Sequence, residues 1–486
     1  MRRPPNILLF MSDNQAAGLL GCYGNREVHT PNLDALATRG VRFENTYCVN
    51  AMCSPCRASV LTGLMPSQHG VHNWLDDQRA AEWPKHWNAV GEFETFPGIL
   101  KAAGYHTALI GKYHLGDPSH PPHAFDHWVT FPHGHTTSFH GNDMIDNGRR
   151  YRHDGHSVEF FTDKTIEFID TGWNRDQPFF AFVPYNGPYG HWPAISGPSG
   201  TSFDTLYAER DMGSVPREGL NSAVVDRYQH RVIDSGGQPR EQFKGPLLLP
   251  NHVESLRNYH AQVSLIDAGV GRILKALGAV GAREDTLVIY TADHGFSLGH
   301  HGIWGHGLAT WPSSLRRPST QIPLLMEYPR RFEPGIFTGL VSQLDIGPTL
   351  LELAGLPPEV NAGADARSVL AALETGVQHH RDAIFMEQEE TRAMRTQQWL
   401  YFQRFKHAPE FDLADELFDL IKDPGENHDC SEREAAVCKQ LADELGIYFA
   451  RYSTAEHDLW RGGRPKSNGS FDRFWKAAWG DRWAPV

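Results

Sequence analysis

The stretch NILLFMSDN at residues 6–14 places a short apolar run directly before Asp13 and Asn14. A continuous apolar run of this length, bounded by polar residues, is typical of a strand that is buried on both faces of a sheet. Polar residues at the carboxyl end of such a strand lie at the edge of an open α/β sheet where ligands bind. The stretch therefore predicts an α/β fold with a candidate site beside these two residues.

Strand and helix patterns alternate along the chain that follows, which predicts a large, mostly parallel sheet sandwiched by helices. A long helix is indicated by apolar residues spaced three and four apart between Leu256 and Leu277. Further strands are predicted at Val41–Cys48, Tyr105–Ile110, Pro178–Tyr185 and Thr286–Tyr290.

The character of the sequence changes near residue 375, which predicts a catalytic α/β domain at 1–375 and an α+β subdomain at 376–454. In the subdomain, Arg392–Phe405 has the pattern of one strand and Glu432–Tyr452 that of one amphipathic helix. Residues 455–486 form an aromatic-rich tail that is expected to pack on the body of the protein or on a second subunit of a homo-oligomer.

Composition limits the partners of the chain. The net charge of −13 disfavours binding to nucleic acid and to anionic membranes. The first apolar run is too short for a signal peptide, and no run of about 20 apolar residues could span a membrane. We therefore expect a cytoplasmic protein whose six cysteines are reduced.

Two predicted strands end at residues with metal-binding side chains. Asp13 and Asn14 follow the first strand, and Asp293 and His294 follow the strand near residue 290. Two carboxylates and an amide oxygen are ligands for a hard divalent ion, and the imidazole adds some preference for Mn²⁺. An aspartate after a strand is often only a turn or helix cap, so each pair alone is weak evidence.

Three further residues have chemistry that suits an anionic substrate. Lys112 and His114 follow the strand at Tyr105–Ile110, where lysine can screen a bound anion and histidine can donate a hydrogen bond or a proton. Cys53 lies where an extended segment gives way to a helix, and helix N-termini favour negative charge. An inert buried thiol is an equally good interpretation of Cys53 on its chemistry alone.

Nine histidines lie between His114 and His156, among glycines, prolines and aromatic residues. A long ordered loop region with scattered polar histidines is the favoured interpretation. The alternative is that these histidines form a pocket wall for an anionic substrate.

Several segments, in order along the chain, resemble the signatures of the type I, formylglycine-dependent sulfatases of the alkaline phosphatase superfamily. The stretch CSPCRASVLTG at 53–63 resembles the pattern C-x-P-x-R followed by L-T-G, and GKYHLG at 111–116 resembles G-K-[WY]-H-L-G. The resemblance runs from about residue 5 to 430 and includes PNLDALA at 31–37, TADHG at 291–295, GIWG at 302–305 and ELFDL with DPGE at 416–426.

The resemblance implies hydrolysis of a small-molecule sulfate monoester. Cys53 would be oxidised by a formylglycine-generating enzyme, and a hydroxyl of the hydrated aldehyde would attack sulfur. The second hydroxyl would then lose its proton and expel sulfate. One divalent ion is implied, with calcium favoured and manganese as the alternative, held by Asp13, Asn14, Cys53, Asp293 and His294. The resemblance assigns contacts to the sulfate or the diol to Arg57, Lys112, His114 and His306.

Two departures from the family pattern affect the metal site. Asn14 replaces the second aspartate of the usual Asp-Asp pair, and His294 replaces a common asparagine. The site therefore has one carboxylate fewer than usual, which is expected to weaken calcium binding.

Other departures affect substrate binding and maturation. Tyr189 replaces the histidine of the family's P-H-x-P pattern, and His191 is the expected substitute for it. His306 replaces a lysine, which predicts a weaker sulfate clamp, whereas Cys56 in the place of serine or alanine is expected to be tolerated.

Two other functions remain open. A phosphonate monoester hydrolase or phosphodiesterase of the same superfamily would use the same formylglycine and metal. An inactive homologue that only binds anions would keep the fold without the modification. The sequence does not distinguish among aryl, sugar and alkyl sulfates.

Overall fold

A computed structural model describes residues 4–190, 199–227, 252–408, 410–467 and 471–483 of the chain. Its strands are β1 (Asn6–Asp13), β2 (Val41–Tyr47), β3 (His106–Ile110), β4 (His127–Thr130), β5 (His140–Asp146), β6 (Arg149–His156), β7 (Phe179–Pro188), β8 (Thr286–Ala292), β9 (Ser297–Leu298), β10 (Trp304–Gly305), β11 (Leu324–Glu327), β12 (Gly335–Ser342), β13 (Ile384–Gln388), β14 (Thr391–Arg395), β15 (Trp399–Arg404) and β16 (Glu416–Asp419).

The α-helices are α1 (Pro31–Arg39), α2 (Cys53–Thr62), α3 (Pro66–His69), α4 (Phe96–Ala102), α5 (Ser157–Thr171), α6 (Asp204–Tyr207), α7 (Ser222–Arg227), α8 (Val253–Ala279), α9 (Arg317–Thr320), α10 (Ile346–Leu353), α11 (Leu370–Thr375), α12 (Ala435–Arg451) and α13 (Asp472–Trp479).

The main sheet has ten strands in the order β12-β2-β11-β8-β1-β7-β3-β4-β5-β6. Strand β1 lies near its centre and pairs in parallel with both β7 and β8. Strands β11, β5 and β6 run antiparallel to their neighbours, so the sheet is mixed and mostly parallel. The predicted α/β fold class is confirmed.

Strand β1 is buried on both faces because each face of the sheet is covered by helices. Leu8 and Phe10 pack into the core on the side of α5 and α8. Ile7, Leu9 and Met11 pack into the opposite core with residues of α2, α4 and α10. This explains the continuous apolar run, since neither face of the strand meets water.

A second, four-stranded antiparallel sheet has the order β13-β14-β15-β16, and α12 packs on it. The prediction of one strand over Arg392–Phe405 is wrong, because this segment contains β14, a turn and β15, which pair antiparallel. The predicted helix at Glu432–Tyr452 is present as α12, which begins three residues later and ends one residue earlier than predicted.

The aromatic tail packs on its own chain. Phe474 and Trp475 of α13 are fully buried in a cluster with Trp311 and Phe405. The described part of the tail therefore packs on the body of the protein, which is the first of the two expected arrangements. Oligomerisation and the domain limits at 375 and 454 stay predictions.

The histidine-rich region is not a long loop. It contains β4, β5 and β6 at one edge of the main sheet.

Among the helices that the structure describes, none combines the length and apolar character needed to cross a membrane. The cytoplasmic location stays a prediction.

Candidate active site

The centre of the site is the pair of parallel strands β1 and β8, which end side by side. Ser12 lies opposite Ala292 in the register, so Asp13 and Asp293 leave the sheet next to each other. The backbone N–H of Asn14 donates to Asp293 Oδ1 at 3.1 Å, and that of His294 donates to the same oxygen at 2.8 Å. These bonds fix Oδ1 of Asp293, and its Oδ2 accepts from the Arg57 guanidinium.

Helix α2 begins at Cys53 and places its side chain beside these two carboxylates. Cys53 is the first residue of the helix and is only 5% exposed. Its Sγ lies 3.2 Å from Asp13 Oδ1 and 3.3 Å from His294 Nε2. One turn further on, Arg57 occupies the same helix face, because residues four apart in a helix are neighbours. The spacing of the C-x-P-x-R pattern therefore places the sulfur of Cys53 and the guanidinium of Arg57 beside the same pair of aspartates.

Arg57 and Lys112 balance the two buried carboxylates. The Arg57 guanidinium donates to Asp293 Oδ2 at 2.8 Å and to the Lys112 carbonyl oxygen at 2.8 Å. Lys112 Nζ donates to Asp13 Oδ2 at 2.5 Å. Burial alone raises the pKa of Asp13, but Lys112 and Arg57 outweigh it and hold that pKa well below its usual value. Both carboxylates therefore have a cationic partner in the absence of a metal.

Lys112 reaches the site because Gly111 allows a close approach between strands β3 and β7. Gly111 has φ of 150°, and a Cβ there would lie 2.0 Å from the Pro184 carbonyl oxygen. The Lys112 backbone N–H then donates to that same oxygen at 2.7 Å. The first position of the G-K-Y-H-L-G stretch thus requires glycine, because a side chain there would collide with the backbone of β7.

Four side chains meet closely enough to hold one ion. The ligand atoms of Asp13, Cys53, Asp293 and His294 all lie within 4.8 Å of one another, and all four residues are buried. His294 Nδ1 lies 2.7 Å from the Gly295 carbonyl oxygen, so this nitrogen carries the proton. The lone pair of Nε2 therefore points towards Cys53, as a metal-binding imidazole requires.

Asn14 supplies an independent test of the metal site. Its side chain is fully buried, yet neither Oδ1 nor Nδ2 has a hydrogen-bond partner among the described residues. Leaving a buried polar group unpaired costs about 1–3 kcal/mol. Asn14 also has φ of 65°, an uncommon conformation for a residue other than glycine. A divalent ion that bound Oδ1 would satisfy this buried oxygen, so the residues present fit such an ion.

The Cys53 thiol is not suited to act as a thiolate. Burial is the main reason that its pKa lies well above the ordinary value, and the neighbouring Asp13 raises it further. The thiol is therefore neutral at physiological pH, and a neutral thiol is a poor nucleophile.

Two predicted histidines lie at the border of the site. The ring of His306 packs edge-on against His294, with centroids 4.7 Å apart. His114 is buried, its Nε2 lies 2.9 Å from the Leu75 carbonyl oxygen, and its ring faces His135. Burial, followed by the charge of Lys112, lowers the pKa of His114 well below its usual range, so its ring is neutral. His191 lies outside the described residues.

One pair of residues is absent from the predicted site set. Tyr189 is buried, its backbone N–H donates to the Asp13 carbonyl oxygen at 3.2 Å, and its ring lies 5.3 Å from Lys112 Nζ. Its hydroxyl is 2.9 Å from Nε2 of His135, which is exposed. Asp77 Oδ2 accepts the backbone N–H of His135 at 2.8 Å and so fixes this loop. Tyr189 stands at the histidine position of the family's P-H-x-P pattern, and this position is the sequence signal for a role of Tyr189. No sequence pattern indicates that His135 is its partner.

The comparisons with known proteins agree with this geometry. The sulfatase family model matches residues 5–356, and a model described as N-sulphoglucosamine sulphohydrolase, C-terminal, matches residues 313–448. The chain is 28% identical over 417 residues to N-acetylglucosamine-6-O-sulfatase of Bacteroides thetaiotaomicron, covering 75% of this chain and 71% of that protein. It is 28% identical over 519 residues to human N-sulphoglucosamine sulphohydrolase, covering 94% and 91% of the two chains.

Solved structures show the same fold. A protein in complex with its substrate D-glucosamine-2-N,6-O-disulfate superimposes with a TM-score of 0.72 at 23% identity, covering 93% of this chain and 98% of that one. The phosphonate monoester hydrolase of Agrobacterium radiobacter superimposes with a TM-score of 0.67 at 21% identity, covering 93% and 97%.

The chain belongs to the sulfatase family. It is a sulfuric ester hydrolase, and the predicted family and reaction class are confirmed.

The assignment of Asp293 as a metal ligand is tested by Asp293→Ala. We expect metal content and sulfatase activity to fall together, each by at least about a hundredfold, since even outer contacts of metal ligands contribute 10–100-fold. Metal content is measured by mass spectrometry of the purified protein, with circular dichroism to confirm folding.

His306→Asn is the matched control, because this residue borders the site without being a predicted ligand. It should retain a full equivalent of metal. Stoichiometric metal in a folded Asp293→Ala protein would refute the ligand assignment.

Proposed function

We propose that Cys53 is oxidised to formylglycine by a formylglycine-generating enzyme, and that the hydrated aldehyde is the nucleophile for sulfate monoester hydrolysis. The observation that carries this proposal is the position of Cys53, whose Sγ lies 3.2 Å from Asp13 and 3.3 Å from His294. The raised pKa of the thiol supports it further, because the unmodified side chain lacks a reactive anion at neutral pH.

The proposed metal ligands are Asp13, Asn14, Asp293 and His294, together with an oxygen of the modified residue 53. Calcium is the proposed ion and manganese the alternative, since the set combines oxygen ligands with one imidazole. When bound, the ion would act as a Lewis acid that polarises the sulfate oxygens. It would also add two positive charges to a cluster whose own charges are balanced, which favours an anionic ester.

Four residues are proposed to hold the sulfate group. Lys112 and Arg57 are fully buried beside Asp13, so their charges act in a low-dielectric environment where they are strong. His306 lies where the family pattern has a lysine and is proposed to supply a hydrogen-bond donor in its place. His114 is proposed to orient the sulfate through its ring, whose Nδ1 has no partner in the described part of the chain.

Protonation of the leaving alcohol is proposed to pass through Tyr189 and His135. Burial raises the pKa of Tyr189 well above its usual value, so its hydroxyl stays protonated and can donate to the leaving oxygen. Burial, followed by the charge of Lys112, lowers the pKa of His135 to about 4, so its ring is neutral near pH 7 and can relay a proton between solvent and this hydroxyl through its two ring nitrogens. His191 is the alternative donor.

We further propose a small sulfated amino sugar as the substrate. Two of the relatives act, by their names, on N-acetylglucosamine-6-O-sulfate and on N-sulphoglucosamine. Arylsulfatase A of human origin is 29% identical over 513 residues, which keeps aryl sulfates as the alternative.

Maturation is tested by peptide mass analysis of the segment that contains Cys53, after expression with a formylglycine-generating enzyme. We expect the mass of the aldehyde or its hydrate, and turnover in proportion to the converted fraction. Cys56→Ser, three residues along the same helix, should retain conversion and activity, whereas Cys53→Ala should lose activity. An unmodified thiol under these conditions would instead favour an inactive anion-binding homologue.

The preference for sulfate over phosphorus esters is tested with an aryl sulfate, an aryl phosphodiester and an aryl phosphonate monoester that share one leaving phenol. We expect the highest kcat/KM for the sulfate. A preference above about tenfold for either phosphorus ester, equivalent to about 1.4 kcal/mol of transition-state binding, would contradict the sulfatase preference.

The role of Tyr189 is tested by Tyr189→Phe with two kinds of leaving group. We expect kcat for a sugar sulfate to fall by about a hundredfold or more, because general acid catalysis contributes 10²–10⁴-fold for a poor leaving group. An activated nitrophenyl sulfate, which needs little protonation, should lose much less. His135→Ala should show the same selectivity, and the double variant should be no worse than the single ones.

Equal losses for both substrates in Tyr189→Phe would indicate a structural role. A selective loss in His191→Ala, with Tyr189→Phe nearly unchanged, would assign the proton to His191 instead.

A further inference from the structure

Three metal-binding side chains meet on the surface, away from the cluster around Cys53. His86 Nδ1 lies 2.8 Å from His120 Nδ1, and His120 Nδ1 lies 2.7 Å from Asp117 Oδ2. The distance from His86 Nδ1 to the same carboxylate oxygen is 3.7 Å. The three ligand atoms therefore surround one point, and no residue is shared with the active-site set.

Only one proton can serve the contacts between these groups. If His120 Nδ1 carries it, that proton faces both the Asp117 carboxylate and the Nδ1 lone pair of His86. A second proton on His86 Nδ1 would set two N–H groups against each other at 2.8 Å. The arrangement presents two nitrogen donors and one oxygen donor, and a divalent cation at the centre would satisfy all three at once.

The backbone holds these two segments together independently of the side chains. The Asp117 N–H donates to the Trp87 carbonyl oxygen at 2.8 Å, and the Ala89 N–H donates to the Leu115 carbonyl oxygen at 2.9 Å. Gly116 makes this approach sterically feasible, because a Cβ there would lie 2.3 Å from the Trp87 carbonyl oxygen. The backbone segments that carry the ligands are therefore already paired, which lowers the cost of bringing them together around an ion.

The kind of ion follows from the ligands. Two imidazoles and one carboxylate suit a borderline ion such as zinc better than calcium or magnesium, which prefer oxygen. In a tetrahedral zinc site, ligand nitrogens at 2.0–2.1 Å from the metal are about 3.3 Å apart. The Nδ1 atoms are 2.8 Å apart and the ring centroids 3.4 Å apart, so the two exposed rings must turn apart, by about 2 Å at their centroids, to bind one tetrahedral ion. The side chains of His86 and His120 are 47% and 48% exposed, which leaves the fourth position to water.

We propose that His86, Asp117 and His120 form a second metal site that binds zinc or a similar transition-metal ion. The site joins the loop around His86 to the segment that follows the G-K-Y-H-L-G stretch, whose Lys112 contacts Asp13. Bound zinc would act as a clip between these two segments. It is separate from the proposed active-site ion and does not depend on the proposed function.

The test uses untagged full-length protein whose active site is saturated with calcium, which competes poorly for imidazole. Zinc binding is measured by equilibrium dialysis with elemental mass spectrometry, and cobalt absorbance reports tetrahedral coordination. The variants are His86→Ala and His120→Ala. His123→Ala is the matched control, because it removes an exposed histidine from the same segment that is not part of the cluster.

We expect one zinc per chain in the unaltered protein and in His123→Ala, and at least tenfold weaker binding in the other two variants. Asp293→Ala should keep this zinc, because it alters only the other site. Equal binding in His120→Ala and the unaltered protein, or no zinc bound by the unaltered protein, would overturn the proposal. Loss of the zinc in Asp293→Ala would place it in the Cys53 cluster and would also overturn it.

Discussion

Two aspartates buried side by side at the ends of β1 and β8 impose the main constraint on this protein. An unpaired buried charge is costly, and removing one partner of a buried ion pair typically costs about 3–5 kcal/mol. Arg57 and Lys112 meet this requirement from α2 and from the end of β3. The molecule as a whole carries a charge of −13, so an anionic ester is attracted only by this local arrangement.

The sheet and the helices around it serve to hold that arrangement in place. Strand β1 is packed on both faces, so the positions of Asp13 and Asn14 do not depend on a mobile surface segment. Gln343 donates to the Asp293 carbonyl oxygen at 2.6 Å from beyond β12, and Tyr259 of α8 donates to the Asn14 carbonyl oxygen. Elements far apart in the sequence thus fix the backbone on which the charged side chains stand.

The sequence was sufficient to predict the residues that follow strands, because strand ends of a parallel sheet converge for geometric reasons. It was also sufficient to place Cys53 at the start of a helix. Other features had no local signal. The turn between β14 and β15 is formed by Thr396, Gln397 and Gln398 without glycine, proline or asparagine, so the sequence pattern predicts one continuous strand there. The contact of His135 with Tyr189 joins two segments about 50 residues apart, and only tertiary packing brings them together.

The burial of residue 53 has a consequence for the order of events in the life of the chain. At 5% exposure, the Cys53 side chain is out of reach of any second enzyme once α2 has docked on the sheet. If it is converted to formylglycine, the modifying enzyme must act while this segment is still extended. Folding and modification would then compete in time, and a chain that folds first would be stable yet permanently inactive. The same packing that shields the modified residue from solvent would thus require that the modification be complete before α2 docks on the sheet.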